Sequence, residues 1–376
     1  MAHNFPRHVG DGAGAFLLRL ATALADRGVP VHAVAPAAPG LAASETLGGI
    51  PVTRFRYAPR RWETLAYGGT MIAEARRTGG LTLLGFLAAA RRATTNASRA
   101  HRATIVHAHW WFPGGLAAAS VTSLPLVTTM HGTDVRIARA SGAARRAMRW
   151  VLTRSAACTT VSEWLAARVR EMAPAATPLV APMPAAVELF TPGTRSADGP
   201  ILFVGRFNRQ KGVRHLLDAV ARMRSRVPVR LIGAGPDGDR LRRQAGELGI
   251  AERLEWLPPQ PQQALAEHYR QAAVVVVPSI EEGLGLVAVE AQLCGAPVIA
   301  AASGGLPDVV EDGRTGVLVP VAAPEPLARA LDALLADREH AATLGRNGRA
   351  AALAKFAPEA VAARYEDIYR QARDAR

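Results

Sequence analysis

The chain has 376 residues, which is too long for one ordinary hydrophobic core and predicts about two domains. Since 49% of the residues are hydrophobic, each domain can bury a core. Its glycines and prolines follow no period, which excludes collagen-like and low-complexity chains. The formal net charge is +14, which brings nucleic acid, anionic substrates and membrane surfaces into consideration as partners.

The sequence also indicates where the protein works. Two cysteines, Cys158 and Cys294, are too few and too far apart for a disulfide framework, which fits a reducing compartment. The N-terminus lacks the basic start and apolar run of a signal peptide. The most apolar stretch, Leu81–Ala90, is too short to cross a bilayer. We therefore expect a cytoplasmic protein.

The first half repeats an apolar run, a turn and an amphipathic helix, which predicts parallel strands with crossover helices. A helix over Phe16–Arg27 leads to a strand over Val29–Ala35. Further strands are predicted over Thr104–His109, Leu126–Met130 and Ala157–Val161. A doubly wound domain normally opens with a strand before its first glycine-rich turn. Here the turn Gly10–Gly14 is preceded by at most a stub of strand at Met1–Phe5.

The second half shows the same alternation. Strands are predicted over Ile201–Val204, Val229–Ile232, Ala273–Val277 and Pro297–Ala300. The proline-rich, non-periodic stretch Pro182–Gly193 separates the halves, and Phe356–Arg376 has a helical pattern. The sequence thus predicts an α/β chain with doubly wound domains over residues 1–190 and 191–355, followed by a helix over 356–376.

A basic block runs from Arg54 to Arg102, with ten arginines against two acids, Glu63 and Glu74. With Leu81–Ala90 inside it, the block suits an anionic substrate or membrane surface, although a merely solvated surface is an equal alternative. Nucleic-acid binding would interleave basic residues with stacking aromatics on one module. The aromatic residues here are few and scattered, so no nucleic-acid partner is expected.

The glycine-rich segment Glu282–Glu290 follows the strand that ends near Pro278 and begins a helix that Gly295 ends. The amides and dipole at such a helix start suit a phosphate or a sugar hydroxyl. Glu282 and Glu290, about two turns apart, could accept hydrogen bonds from hydroxyls at two points of one elongated ligand. Alternatively, Glu282 caps the helix and Glu290 is a surface residue.

Two cations, Arg206 and Lys211, follow the strand Ile201–Val204. Side chains at the carboxyl ends of parallel strands face the crevice where ligands bind. Cations at that place suit a diphosphate and the negative charge that it gains on leaving. The alternative is a solvated basic turn.

Histidines and tryptophans mark strand ends in the first half. His131 follows the strand Leu126–Met130, where a neutral imidazole can hydrogen-bond a sugar hydroxyl or a leaving oxygen, although a lone histidine is more often structural. His107 and His109 share one face of a strand, but no nearby cysteine or acid completes a metal set, so no metal site is expected. Trp110 could line an acceptor pocket or belong to the core.

The turn Gly10–Gly14 fits a dinucleotide fingerprint poorly, because it lacks the spacing and the acidic residue at the end of the next strand. No nicotinamide or flavin cofactor is expected.

Taken together, these motifs resemble the retaining glycosyltransferases of family 4, which have the GT-B fold. The segments that carry the resemblance are Gly10–Gly14, His131–Asp134, Gly205–Gly212, Glu282–Glu290, Cys294–Val298, Gly304–Asp308 and Asp312–Gly316. They span nearly the whole chain, and those of the second half are the more specific in order and spacing.

The resemblance implies two Rossmann-like domains facing a cleft, with the last helix returning to the first domain. It implies transfer of a hexose-type sugar, with retention, from a nucleotide-diphosphate donor, UDP above all. The acceptor would be a hydroxyl of a small molecule or of a lipid-linked one. Neither metal nor cofactor would be needed. The alternatives are a regulatory member of the same fold, against which the intact donor motifs argue, and a basic nucleic-acid-binding protein.

The resemblance also implies a role for each matched residue. Arg206 and Lys211 would hold the diphosphate, Glu290 the ribose and Glu282 the donor sugar, over which His131 would lie as the second catalytic residue. The other donor contacts would come from Gly12, Gly14, Gly283, Leu284, Gly285 and Leu286. On the acceptor side we expect Asp11, His109, Trp110 and Asp134.

The chain departs from the family pattern in three places. Its opening strand is nearly absent, Asp11 is inserted in the first turn, and Pro258 stands where a glycine is common in the base-binding loop. We expect a cytoplasmic enzyme, with peripheral contact to the inner face of an anionic membrane as an open alternative.

Overall fold

The computed structural model describes residues 1–68, 71–193 and 199–375. They form two compact units, one of residues 1–184 and 358–376 and the other of residues 185–357. The sequence placed the boundaries after residues 190 and 355. Residues 185–190 join the second unit, where the buried Phe190 packs on Tyr269 at a ring-centroid distance of 5.8 Å.

The first unit contains most of the elements of the first half. In chain order they are α1 (Ala15–Asp26), β1 (Ala33–Pro36), β2 (Ser44–Leu47), β3 (Ile50–Phe55), α2 (Met71–Arg77), α3 (Leu81–Ala100), β4 (Val106–His109), α4 (Leu116–Ala119), β5 (Leu126–Met130), α5 (Thr133–Ala140), α6 (Gly142–Arg154), β6 (Ala157–Thr160), α7 (Glu163–Met172) and β7 (Leu179–Val180).

Its strands form two sheets, in the orders β1-β3-β2 and β4-β5-β6-β7, and the second sheet is wholly parallel. Residues 1–5 do not form a strand, in agreement with the sequence, which predicted at most a stub of strand there. Instead, the Ala2 N–H donates to the Val34 carbonyl of β1 at 3.1 Å, and the Met1 carbonyl accepts from the His109 N–H of β4 at 3.0 Å. A two-residue segment therefore takes the place of the opening strand between the sheets.

The hairpin of β2 and β3 was not predicted. Leu47 pairs with Ile50 across a two-residue turn of Gly48 and Gly49, which have φ of +55° and +81°. A tight hairpin turn of this kind needs positive φ at both central residues, which glycine adopts at little cost. The Gly-Gly pair between two apolar residues was the available signal.

The second unit contains the remaining strands and most of the later helices. They are β8 (Ile201–Val204), α8 (Val213–Arg222), β9 (Val229–Ile232), α9 (Gly238–Glu247), β10 (Leu254–Leu257), α10 (Gln262–Gln271), β11 (Val274–Val277), α11 (Leu286–Leu293), β12 (Val298–Ala301), β13 (Val317–Val319), α12 (Pro324–Ala336) and α13 (Arg338–Phe356).

Its six strands form one parallel sheet in the order β10-β9-β8-β11-β12-β13. Counted along the chain from β8, this is the order 3-2-1-4-5-6 of a doubly wound dinucleotide-binding domain. Strands β8 and β11 are neighbours at the point where the order reverses. The predicted α/β class and doubly wound architecture are confirmed.

The last helix, α14 (Pro358–Asp374), belongs to the first unit, as predicted for the C-terminal helix. Its Tyr365 is fully buried, and the hydroxyl donates to the Ala181 carbonyl at 3.2 Å. Within the three described ranges, no helix is both long enough and apolar enough to cross a membrane.

Candidate active site

The centre of the second unit's site is an ion pair between Lys211 and Glu282, whose Nζ and Oε2 atoms are 2.5 Å apart. Lys211 lies in the loop after β8, and Glu282 lies in the loop after β11. Because these strands are neighbours at the reversal of the strand order, their loops border the crevice in which such sheets bind ligands. The buried Ser279 hydroxyl also donates to Glu282 Oε2, at 3.1 Å.

The two loops are tied together by backbone and side-chain contacts. Gln210 donates from Nε2 to the Glu281 carbonyl at 2.7 Å, and its own carbonyl accepts from the Ile280 N–H at 2.8 Å. Gly212, with φ of +69°, lies so close to Pro278 that a Cβ there would be 2.0 Å from the Pro278 oxygen. The position therefore requires glycine, and the close approach fixes the distance between the loops.

Glu290 lies in α11 and has its own buried support. The Tyr269 hydroxyl of α10 donates to Glu290 Oε2 at 2.9 Å, and Gln262 Nε2 lies 3.5 Å from Oε1. Burial, followed by the neighbouring Glu290 charge, raises the pKa of Tyr269 well above its usual value. Tyr269 is thus a neutral donor that orients the carboxylate.

The remaining predicted donor residues of this unit lie around these loops. Arg206 is exposed in the turn after β8, and Leu284 is buried while Leu286 is exposed at the start of α11. Gly285 is the residue before α11 and has φ of +98°, and Gly283 precedes it in the same loop. The structure thus brings Lys211 and Glu282 into contact and places the other predicted donor groups of this unit on the same loops or in α11.

In the first unit, His131 lies directly after β5 and contacts His109 at the end of β4. His109 Nδ1 and His131 Nε2 are 3.1 Å apart, and Trp110 packs on His131 with ring centroids 4.3 Å apart. Trp110 is buried and has φ of +63°, an uncommon conformation for a bulky residue. Trp110 also contacts His3, with ring centroids 4.4 Å apart.

These imidazoles are neutral at physiological pH. Burial lowers the pKa of His131 to about 3 and that of His3 to about 4. Burial also holds the pKa of His107 and His109 well below the usual range, and neighbouring positive groups add to that effect. One ring of the His109–His131 pair must therefore donate and the other must accept.

Asp134 organises the turn that carries His131. Its Oδ1 accepts from the His131 and Gly132 amides at 3.1 and 3.0 Å, and its Oδ2 accepts from the Trp111 amide at 3.1 Å. Burial raises the pKa of Asp134 to about 6, against the opposite effect of these backbone hydrogen bonds. The carboxylate is occupied by backbone donors, so its contribution to the site is to hold His131 and the Trp110–Trp111 segment in place.

Asp11 stabilises the glycine-rich turn Gly10–Gly14, to which it belongs. Arg7 contacts Asp11 through Nε at 2.7 Å, and the Ala13 amide donates to Asp11 Oδ1 at 3.1 Å. The Arg7 hydrogen bonds lower the pKa of Asp11 below its usual value. A Cβ at Gly14 would be 1.7 Å from the Asn4 carbonyl oxygen, whereas one at Gly12 would meet nothing within 4 Å. Gly14 is therefore required by packing, and Gly12 leaves open space beside the turn.

The two strand histidines make protein contacts. His107 bonds Tyr369 and Thr129 through Nδ1 and Nε2, at 2.8 and 2.7 Å, and His109 bonds His131. In the part of the chain that the structure describes, no group of three or more His, Cys, Asp or Glu side chains could hold a metal ion.

Sequence reasoning missed three residues that shape these sites. Tyr269 and Ser279 support the two glutamates, and Gln210 joins the loops. Ser279 and Gln210 lie beside motif residues and could have been considered as strand-end groups. Tyr269 gave no such signal, because a buried aromatic on an amphipathic helix is the usual core pattern.

Two family models match the chain. "Glycosyl transferases group 1" matches residues 190–351, and "Glycosyl transferase 4-like domain" matches residues 11–184. Among curated relatives, D-inositol 3-phosphate glycosyltransferase of Geodermatophilus obscurus is 39% identical over 271 residues, covering 62% of this chain and 60% of that protein. The same enzyme of Corynebacterium diphtheriae is 37% identical over 305 residues, covering 71% and 70%.

Solved structures share the fold. Sucrose-phosphate synthase from Thermosynechococcus elongatus has a TM-score of 0.79 at 27% identity and covers 96% of this chain and 94% of its own. Anabaena Alr3699/HepE in complex with UDP and glucose has a TM-score of 0.70 at 19% identity and covers 98% and 99%. The chain therefore belongs to the group 1 glycosyl transferases and has the GT-B fold.

Proposed function

We propose that this protein is a retaining glycosyltransferase that moves a hexose-type sugar from a nucleotide-diphosphate donor, UDP being favoured, to a hydroxyl acceptor. The observation that carries the proposal is the Lys211–Glu282 pair at the reversal of the strand order. The pair sets a cation beside a carboxylate, a combination that would suit a sugar diphosphate. Relatives named as glycosyltransferases, and the UDP and glucose in the Anabaena complex, support this choice.

The charged side chains of the second unit suit the cleavage of the bond between the sugar and the diphosphate. Lys211, with Arg206 in the same loop, would neutralise the diphosphate as the sugar C1–O bond to phosphate breaks and negative charge builds on the leaving oxygen. Glu282 would accept hydrogen bonds from sugar hydroxyls, and Glu290, oriented by Tyr269, would accept them from the ribose.

Retention requires the acceptor oxygen to bond C1 on the face that the phosphate leaves. The acceptor proton then passes to a leaving phosphate oxygen, so the products are the glycoside and the nucleoside diphosphate. The cationic side chains and the start of α11 would supply the charge stabilisation that a metal ion gives in other transferases. We therefore propose a metal-independent reaction without a cofactor.

The acceptor would be a small molecule or a lipid-linked one. The relatives are named for D-inositol 3-phosphate and the structural neighbour for sucrose phosphate, both of them hydroxyl-rich phosphates. We also propose that the enzyme works in the cytoplasm and contacts the inner face of the membrane peripherally, where a lipid-linked acceptor would be at hand.

A thermal-shift panel of UDP-, GDP- and ADP-linked hexoses, with and without a chelator, tests the donor. A ligand that binds only the folded state stabilises it by about 2.7 kcal/mol at a concentration one hundred times its Kd. We expect a shift with UDP-hexose, unchanged by the chelator, and lost when Lys211 is replaced by Met. If no nucleotide sugar shifts the transition, the donor proposal is wrong. The anomeric configuration of the product, read by NMR, tests retention.

A further inference from the structure

Three neighbouring stretches of the first unit, residues 60–62, 72–77 and 81–84, combine exposed apolar side chains with arginines. The apolar members are Leu81, Leu84, Trp62 and Ile72, whose exposed fractions are 69%, 66%, 47% and 37%. Four arginines accompany them in the same stretch of chain, and all four are exposed. We call this set the apolar–basic face; its residues are Arg60, Arg61, Trp62, Ile72, Arg76, Arg77, Leu81 and Leu84.

The face belongs to one compact segment. Thr64 donates to Glu74 Oε2 at 3.0 Å, which ties the loop before α2 to that helix. The Thr78 and Thr82 hydroxyls, 2.6 Å apart, tie the end of α2 to the start of α3. The opposite side of the segment is anchored in the core by the buried Phe86 of α3. The packing of Phe86 in the core therefore fixes which side of the segment faces solvent, and the exposed apolar residues lie on that side.

The charges of the face are not balanced from within. The two acids of the basic block already have partners, since Glu63 pairs with Arg56 at 3.0 Å and Glu74 with Arg77 at 3.2 Å. Among the described residues, the other arginines of the face have no ion-pair partner; they are Arg60, Arg61 and Arg76.

The basic block is also smaller than its sequence suggested. Arg54 is buried, with Nε 2.7 Å from Glu45 Oε1 and a further hydrogen bond from NH1 to the Tyr67 hydroxyl at 3.0 Å. Its guanidinium also donates to the backbone carbonyls of Phe5 and Pro6, so Arg54 stabilises that loop and contributes nothing to a surface. Nine arginines of the block remain exposed, and four of them belong to the apolar–basic face; the other five are Arg56, Arg91, Arg92, Arg99 and Arg102.

We propose that the apolar–basic face docks on an anionic lipid surface. This inference rests on the proposed peripheral location and assigns it to particular residues. Leucines and a tryptophan among arginines are the composition of an interfacial contact, in which apolar groups enter the boundary between headgroups and chains and cations meet the anionic headgroups. Trp62 is the single aromatic residue of the face, so it lacks the stacking platform that a nucleic acid would need.

Flotation of the full chain with phosphatidylcholine vesicles, with and without phosphatidylglycerol, tests the proposal. We expect binding that depends on the anionic lipid and weakens with salt. The double variant Arg76→Gln/Arg77→Gln should lower the partition coefficient roughly 30-fold. Leu81→Ser/Leu84→Ser should lower it about ten-fold, because apolar area that would enter the interface is lost. Both side chains are exposed, so we expect this variant to fold like the parent protein.

The matched control removes two exposed arginines from α14 of the same unit, as Arg370→Gln/Arg373→Gln. We expect a change of less than about three-fold, because these residues lie outside the face. An equal loss in the control would assign the attraction to the overall charge of +14 and overturn the proposal. No effect of the serine variant, or equal binding to neutral vesicles, would overturn it as well.

The same variants keep the two proposals distinguishable. Flotation needs neither donor nor acceptor, so it reports on the face even if the chain transfers no sugar. A thermal shift with UDP-hexose should be the same in the variants and the parent protein, because the face contains none of the donor residues.

Discussion

The candidate sites of the two units hold their polar groups in opposite ways. In the second unit the groups are charged, and Lys211 and Glu282 compensate each other at 2.5 Å. In the first unit burial keeps His131 and His109 neutral. The first arrangement suits the binding of a charged diphosphate, and the second suits hydrogen bonding to hydroxyls without added charge. The difference also implies that acid should affect the first unit before the second.

The largest effect is expected from removing the cation of the second unit. Lys211→Met should lower kcat/KM for the nucleotide sugar on the order of 10²–10³-fold, because it takes away a positive charge beside the leaving diphosphate and leaves Glu282 without its cationic partner. Steady-state kinetics with the best donor of the panel measure the loss.

The matched control is Arg209→Met, which removes an exposed positive charge from the same turn. It should change kcat/KM less than about three-fold, since exposed charges are largely screened. Equal losses in both variants would mean that the general charge of the loop, not the position of Lys211, binds the donor.

A fall in pH should destabilise the first unit more than the second. A histidine whose pKa is lower in the folded state than in the unfolded state contributes stability that is present above the unfolded value, near 6.5, and is lost as the pH falls toward the folded value. For His131, with a pKa of about 3, the loss at pH 4.5 is about 2–3 kcal/mol. His3 acts in the same direction, whereas Asp134, with its pKa raised to about 6, acts in the opposite direction.

Hydrogen exchange read by mass spectrometry can follow both units in the intact chain. After correction for the intrinsic exchange rate, protection of β4 and β5 should fall between pH 6.5 and 4.5 more than protection of β8 and β9. Replacing His3 with Phe should reduce the fall, because it removes one titrating group. Equal losses in the two units would contradict the assignment of acid sensitivity to the histidines.

The contact between His109 and His131 should affect kcat through a single ring nitrogen of His109, Nδ1. An asparagine at position 109 can place its amide near the position of His109 Nδ1, which faces His131 Nε2 at 3.1 Å, whereas a glutamine amide lies near the position of Nε2. We expect His109→Gln to lower kcat about ten-fold and His109→Asn to keep it within about three-fold. Thermal shifts with the donor serve as the control for folding. Similar kcat values in both variants would indicate that only packing at this position matters.

The second unit was the more predictable from sequence, for a physical reason. Lys211 and Glu282 each follow a buried strand, and the rules of parallel sheets bring such residues to one edge. The Gly-Arg-x4-Lys-Gly and Glu-x7-Glu segments therefore pointed to both residues as donor groups, but the direct contact between them was not predicted. Tyr269 was missed because its partner Glu290 is 21 residues away on another helix, and no periodicity marks that contact.

The first unit depended on contacts that no local pattern encodes. Asp11 was assigned to the acceptor side, and that role stays a prediction, but its carboxylate is held by Arg7 in an irregular loop. Arg54 was counted with a basic surface and is buried against Glu45 instead, because the backbone carbonyls of Phe5 and Pro6 also accept its hydrogen bonds. The hairpin turn at Gly48 and Gly49 was visible in the sequence and was overlooked.

The smallest effect is expected at Tyr269, and it separates orientation of a carboxylate from its charge. Tyr269→Phe keeps the buried ring and removes only the hydroxyl that donates to Glu290 at 2.9 Å. The nucleotide should then bind about five-fold more weakly, with kcat within about two-fold, because Glu290 keeps its charge but loses its fixed orientation. Tyr365→Phe is the matched control, since it removes a buried hydroxyl from the first unit and should leave nucleotide affinity unchanged. Equal weakening in both variants would show that general loosening of the fold, and not the orientation of Glu290, sets the affinity.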